Sequence, residues 1–109
     1  MARETLDVGK TVDMASLVQI KNILSSQRER LFKEYHVAGL AVFGSFTRNE
    51  QREDSDVDIL VEFSAPVGME FIDLANDLER ILNRKVSLVS KNGIKSKYLS
   101  VIQSQLSYV

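Results

Sequence analysis

Two short segments at a fixed spacing decide how this chain folds: Gly44-Ser45-Phe46-Thr47-Arg48 and Ser55-Asp56-Val57-Asp58-Ile59-Leu60-Val61. The first is a small-residue turn after an apolar run, and the backbone N–H groups of such a turn suit an anion. The second opens a strand, in which Asp56 and Asp58 project to the same side because side chains alternate between faces. Two carboxylates beside an anion-binding turn suit Mg²⁺ held between protein and nucleotide. Phosphoryl or nucleotidyl transfer is therefore the leading hypothesis.

The composition is that of one small globular domain. The chain has 109 residues, so we expect a single domain over residues 1–109, with residues 1–12 as a loose N-terminal arm. Hydrophobic residues make up 44% and charged residues 27%, as is ordinary for soluble proteins. The net charge of −1 provides no general attraction to anionic membranes or nucleic acid. A nucleic-acid partner would need a local basic patch.

The residues that are missing also narrow the possible chemistry. The chain has no cysteine, which excludes disulfide frameworks, thiolate zinc sites and cysteine nucleophiles. The sequence shows no secretory signal, and no apolar run approaches the roughly 20 residues that span a bilayer. We therefore expect a cytoplasmic protein, in a compartment that supplies Mg²⁺ and nucleoside triphosphates.

Apolar periodicity predicts alternating helices and strands. The predicted helices are 14–35, capped by Asp13, a short one at 45–49, then 67–82 and one from 94 or 96 to 107, and the predicted strands are 40–43, 57–63 and 85–90. Residues 36–39 and 49–55 are predicted as connectors. This order indicates an α/β fold, with a small mixed sheet of three or more strands covered by about four helices.

Each candidate site residue has a functional and a purely structural interpretation. Gly44 allows close backbone approach to a phosphate, Ser45 adds a hydroxyl and begins the short helix, and the planar fork of Arg48 can pair with a phosphate. The structural alternative is a serine-capped turn from strand to helix. For Asp56 and Asp58 the alternative is a pair of solvated loop residues. Aspartate is depleted in strands, and two like charges there repel each other without a cation, which favours a metal site.

The spacing of these residues resembles the signature of the minimal nucleotidyltransferase (MNT) family, small members of the DNA polymerase β-like nucleotidyltransferase superfamily. The resemblance implies a nucleotidyltransferase-like fold, with Gly44 and Ser45 on the triphosphate and Asp56 and Asp58 as catalytic residues that bind Mg²⁺. The implied reaction moves a nucleoside monophosphate, AMP from ATP, to a hydroxyl acceptor. Many family members are antitoxins that attach AMP to a tyrosine of a HEPN-domain toxin.

Two positions depart from the family pattern. Asn49 replaces a glycine, which is a mild change because asparagine tolerates left-handed backbone angles. Ser87 stands where the family has its third carboxylate, and serine cannot serve as an anionic ligand or base. The chain is then either a slow or inactive member, or another group replaces that carboxylate. A second hypothesis is a nucleotide-binding antitoxin subunit that neutralises its partner by binding alone. The sequence leaves the acceptor, the nucleotide and any homo-oligomer open.

Overall fold

The apolar run after Asp56 forms an inner strand of a four-stranded mixed sheet, with the bounds that its sequence predicts. The strands of this computed structural model are β1 (Val37–Phe43), β2 (Val57–Phe63), β3 (Val86–Ser90) and β4 (Ser107–Tyr108). Their order in the sheet is β3-β2-β1-β4, antiparallel except for the parallel pair of β2 and β3. The α/β fold with a mixed sheet is therefore confirmed. The structure describes residues 16–109.

The first predicted helix is divided in two. Within residues 16–109 the α-helices are α1 (Leu17–Ser26), α2 (Arg28–Glu34), α3 (Met69–Leu82) and α4 (Ser96–Ile102). The prediction of one helix over 14–35 is wrong because Gln27 leaves helical geometry, at φ −107° and ψ 4°. Just before it, the Ser26 hydroxyl donates to the Ile23 carbonyl at 2.7 Å, a bond that competes with the helix ladder and bends helices.

The start of α1 is set by a capping box. The Ser16 hydroxyl accepts from the backbone N–H of Gln19 at 3.2 Å, and the Gln19 side chain accepts from the Ser16 N–H at 3.0 Å. Two otherwise unpaired donors of the first turn are thereby satisfied. The predicted arm at 1–12 and the predicted cap Asp13 lie outside the described residues. No helix within residues 16–109 combines the length and the apolarity needed to cross a bilayer.

The two faces of the sheet are covered differently. One face packs on α1, α2 and α3 and forms the main core, whose largest fully buried side chains include Leu24, Leu31, Ile59, Leu74 and Leu78. The other face carries a smaller cluster of Phe43, Leu60 and Ile102, covered by α4 and the residues after it. Side-chain alternation along β2 places Asp58 on the same face as Leu60, so the candidate site lies on the lightly covered side.

The end of the chain differs from the prediction of a helix reaching position 107. Helix α4 ends at Ile102, a 3₁₀ turn spans Gln103–Gln105, and the chain then adds strand β4 to the free edge of β1. The Val109 N–H continues this pairing by donating to the Leu40 carbonyl at 2.9 Å. Edge pairing of this kind depends on a strand distant in sequence, so local helix periodicity does not reveal it.

Strand β1 is also longer than predicted, and α3 is shorter. β1 begins at Val37 rather than 40, with an irregularity in its pairing between Val37 and Gly39 that local periodicity does not show. Helix α3 begins at Met69 rather than 67, after Gly68. Strand β3 begins at Val86, one residue later than predicted.

A buried carboxylate joins α2 to α3. Asp77 is 9% exposed, and it accepts two bonds from the Arg30 guanidinium, at 2.8 and 3.2 Å. The Tyr35 hydroxyl donates to it at 2.7 Å and the Arg80 guanidinium at 2.6 Å. The hydrogen bonds from Arg30, ahead of those from the other two partners, lower the pKa of Asp77 to about 2. Each carboxylate oxygen of Asp77 thus accepts two hydrogen bonds, which offsets the cost of burying the charge.

Candidate active site

Gly44 and Asp58 meet where β1 ends. Phe43, the last residue of β1, pairs with Asp58 in the sheet, and Gly44 follows with φ at +81°. A Cβ atom at position 44 would overlap the Asp58 Oδ2 atom and lie 3.0 Å from its Cγ. Both the left-handed angle and the close approach exclude a side chain here. The turn backbone therefore lies directly against the carboxylate.

The turn after Gly44 is shorter than the predicted helix at 45–49. A 3₁₀ turn covers Gly44–Phe46, and the N–H groups of Thr47 and Arg48 donate to the Gly44 carbonyl at 3.1 and 3.2 Å. The prediction that Ser45 begins a helix is therefore wrong, and so short a turn has no useful helix dipole. Asn49 adopts φ 57°, the left-handed angle that its side chain was predicted to tolerate.

Asp56 and Asp58 interact electrostatically. Asp58 is half-buried within β2, and Asp56 is exposed one residue before the strand. Burial raises the pKa of the Asp58 carboxyl, the charge of Asp56 raises it further, and the charge of Arg48 lowers it. Two interacting carboxylates of this kind form an oxygen donor set that suits a hard divalent cation. The residues present therefore fit Mg²⁺.

Ser87 is the neighbour of Asp58 on β3. The two residues are paired in the parallel register, and Ser87 is exposed. Within residues 16–109 no cluster of three or more acidic or histidine side chains is arranged to hold a metal. The described part of the chain therefore offers two carboxylates here, and the other ligands of a bound ion would be phosphate oxygens or water.

A cleft of about 310 Å³ opens beside Asp58. It is lined by Phe43, Gly44, Arg48, Asp58, Tyr98, Val101, Ile102 and Gln105. The structure thus brings together three predicted site residues. Ser45 is half-buried next to Gly44, and Asp56 lines a separate cleft of about 480 Å³. Another cleft of that volume, between α1 and the end of α3, has no carboxylate in its lining.

The loop that carries Asp56 is fixed by Arg84. One nitrogen of its guanidinium, Nη1, donates to the carbonyls of Glu53 and Ser55, both at 3.0 Å. The same guanidinium lies 5.5 Å from the centre of the Phe46 ring, within the range of a cation–π contact. Arg84 therefore connects the acidic loop to the turn that follows Gly44. Sequence reasoning missed it, because a single arginine after a helix resembles any solvated residue.

Gln105 is a second residue that sequence reasoning missed. Its side-chain oxygen accepts from the Gly44 N–H at 3.3 Å and from Nη1 of Arg48 at 3.1 Å. Nε of Arg48 donates to Glu50 at 2.9 Å. The Gly44 N–H and the Arg48 guanidinium are thus bound by the neutral amide of Gln105, and Arg48 also by the exposed carboxylate of Glu50. No local pattern marks Gln105, since 57 positions separate it from Arg48.

Comparison with known proteins defines the class to which this arrangement belongs. Residues 19–108 match the family described as the nucleotidyltransferase domain. The protein adenylyltransferase MntA of Thermococcus cleftensis is 39% identical over 97 residues, covering 88% of this chain and 98% of that protein. The chain belongs to the nucleotidyltransferase domain family. It is a nucleotidyltransferase.

Two solved structures share the fold. One is described as a minimal nucleotidyltransferase, with 28% identity and a TM-score of 0.66, covering 81% of this chain and 93% of that one. The other is a Shewanella oneidensis complex of a tri-AMPylated HEPN toxin with an MNT antitoxin. It has 18% identity and a TM-score of 0.59, covering 80% of this chain and 69% of that one. The nucleotidyltransferase-like fold expected from the sequence is confirmed.

Proposed function

We propose that this protein transfers AMP from ATP to a hydroxyl group of a partner protein, with a tyrosine of a HEPN-domain toxin as the acceptor. The observation that carries the proposal is the cleft beside the carboxylate of Asp58. It is lined by Gly44 and Arg48, which can donate hydrogen bonds to phosphate oxygens. The adenylyltransferase name of the Thermococcus relative and the AMPylated toxin in the Shewanella complex support the choice of AMP and of the partner.

Asp56 and Asp58 are the proposed ligands of Mg²⁺. Their carboxylates interact, and both are accessible to solvent at least in part. When bound, the ion neutralises charge on the phosphates and on the leaving pyrophosphate. The backbone N–H of Gly44, the Arg48 guanidinium and the neighbouring Ser45 are the proposed triphosphate contacts, because donors of this kind bind phosphate oxygens.

The transfer forms one bond and breaks one. The acceptor oxygen attacks the α-phosphorus, the bond from that phosphorus to the bridging oxygen breaks, and pyrophosphate leaves. The acceptor proton passes to water, since Ser87 has no basic group to receive it at the position beside Asp58. The chain contributes by holding the phosphates, which favours positioning over proton transfer as its main catalytic effect.

Labelled ATP tests this proposal directly. The protein is incubated with Mg²⁺, ATP labelled at the α-phosphate and the product of the neighbouring gene, and protein-bound label is measured. We expect label on the partner, and its loss in Asp56→Ala and Asp58→Asn but not in Asp54→Ala, which removes an exposed carboxylate from the same loop. Label that persists in the Asp56→Ala and Asp58→Asn variants contradicts the assigned site.

Ser87 favours a second candidate, an antitoxin subunit that binds ATP and its partner without transfer. The position beside Asp58 carries a hydroxyl where a carboxylate would activate the acceptor. A tight complex with the partner and no transferred label, with ATP binding intact, supports this second function. Transferred label contradicts it.

A further inference from the structure

We propose that Gln105 occupies the phosphate site of the free protein, and that nucleotide binding displaces it. This inference rests on the proposed function, because it concerns the same cleft. Gln105 lies in the 3₁₀ turn between α4 and β4, and its side chain reaches across the cleft to the turn that follows β1. Its amide oxygen bonds to two donors at once, the Gly44 N–H at 3.3 Å and Nη1 of Arg48 at 3.1 Å.

The chemistry of these contacts identifies the amide oxygen as a substitute for a phosphate oxygen. Both partners are donors and neither can accept, so the oxygen of Gln105 faces them and its NH₂ group points elsewhere. A backbone N–H and a guanidinium that converge on one oxygen form the kind of pair that binds phosphate. The amide oxygen of Gln105 therefore occupies the position at which a phosphate oxygen would form the strongest hydrogen bonds to these two donors.

Burial explains why the free protein needs a substitute at this point. Gly44 is buried, and a buried N–H without a partner is costly, so the amide oxygen stabilises the empty cleft. An ionised phosphate oxygen binds the same donors more strongly than a neutral amide, because the bond to the Gly44 N–H becomes charge-assisted and the bond to Arg48 joins two opposite charges. A nucleoside triphosphate can thus displace Gln105, at the cost of the bonds that Gln105 gives up.

The displacement also couples the nucleotide to the C-terminal segment of the described chain. Gln105 is two residues from β4, which pairs with β1, and it follows Ile102, which packs with Phe43 and Leu60 beneath the cleft. Tyr98 and Val101 of α4 line the same cleft and are exposed. When the Gln105 side chain withdraws, the side of the cleft formed by Tyr98 and Val101 is free to adjust to the bound nucleotide.

Two variants of opposite expected effect test the inference by calorimetric titration of ATP with Mg²⁺. Gln105→Ala removes the competing acceptor, so we expect the Kd for ATP to fall by about 3- to 10-fold, the range expected for loss of one or two modest hydrogen bonds. Gln105→Glu places a carboxylate against Arg48, so we expect the Kd to rise by about 10-fold or more. A folding defect would weaken binding in both variants.

The controls separate this inference from the proposed function. Gln103→Ala alters the same 3₁₀ turn at an exposed position and should leave the Kd unchanged. Inorganic triphosphate should show the same order of affinities as ATP, whereas binding of adenosine should not depend on position 105. If the unmodified protein binds ATP and Gln105→Ala binds it equally or more weakly, the proposed displacement of Gln105 is wrong, while the proposed transferase function stands. If the unmodified protein binds no ATP, the proposed function itself fails.

Discussion

Asp58 and Ser87 are direct neighbours across the parallel strands β2 and β3. This register places a hydroxyl beside the half-buried carboxylate of the site, at the position where the family resemblance implies a third acid. The position is exposed and faces the lightly covered side of the sheet, so a longer acidic side chain fits there without displacing buried side chains. Ser87 is thus the most informative position at which to restore a catalytic group.

Replacing Ser87 by aspartate should raise the rate of AMP transfer and strengthen divalent metal binding, because a third oxygen ligand would join Asp56 and Asp58. We expect a rate increase of at least about 10-fold if the missing acid acts as a base, since general base catalysis contributes 10²- to 10⁴-fold. The comparison measures labelled product and Mn²⁺ affinity. Ser90→Asp adds the same charge to β3 on its opposite face and is the matched control. Equal rates for the parent and Ser87→Asp would show that position 87 does not limit transfer.

A methyl group at position 44 should damage both stability and the site. Gly44→Ala forces an alanine into a left-handed angle and against the Asp58 carboxylate, which should cost at least about 1–2 kcal/mol of unfolding free energy. Chemical denaturation and ATP titration measure the two effects. At Gly93 an added Cβ meets open space, so Gly93→Ala is the control and should be nearly neutral. Normal stability and ATP affinity in Gly44→Ala would contradict the close approach.

Arg84 should act on catalysis by positioning the loop that carries Asp56. Arg84→Met keeps an apolar stem against Phe46 but removes the donors to Glu53 and Ser55. We expect metal affinity to fall by about 10- to 100-fold, the range seen when supporting groups around a metal site are removed. Mn²⁺ titration measures this change, and circular dichroism checks the fold. The exposed Arg52→Met in the same loop should have no effect. Unchanged Mn²⁺ affinity in Arg84→Met would exclude a positioning role.

Acid should destabilise the fold through Asp77. Its pKa is lowered from 3.8 to about 2 in the folded protein, so its contribution is present above pH 4 and is lost as the pH falls towards 2. The difference between the two pKa values of Asp77 corresponds to roughly 2 kcal/mol of unfolding free energy. Urea unfolding at pH 5, 4, 3 and 2 measures the loss. In Asp77→Asn the slope over this interval should be smaller, although the variant is less stable at every pH. An identical slope in both proteins would assign the acid sensitivity to other groups.

Local pattern predicted much of this molecule. Strand β2 has the expected bounds because its β-branched run is bounded by polar residues on one side and Ser64 on the other, and Asn49 has the expected backbone angle. Gly44 lies close to Asp58, as expected for a turn beside the carboxylates, because Phe43 pairs with Asp58 where β1 ends.

The features of the fold and site that local pattern did not predict depend on contacts between positions distant in sequence. Strand β4 forms only because the edge of β1 is free, and Gln105 reaches the site only because that pairing returns the chain across the cleft. The network around Asp77 likewise depends on how α2 packs on α3, since it joins Arg30 to a residue 47 positions away. Helical or strand periodicity carries none of this information, because each pattern describes one element at a time.

The position of a bound cation decides whether Asp56 and Asp58 form the metal site. Crystals grown with Mn²⁺ and a non-hydrolysable ATP analogue allow the metal to be located from its anomalous scattering. We predict one or more Mn²⁺ ions coordinated by the carboxylates of Asp56 and Asp58, with the triphosphate bonded to the Gly44 N–H and Arg48. Metal and triphosphate bound elsewhere, with both carboxylates free, would contradict the assigned site.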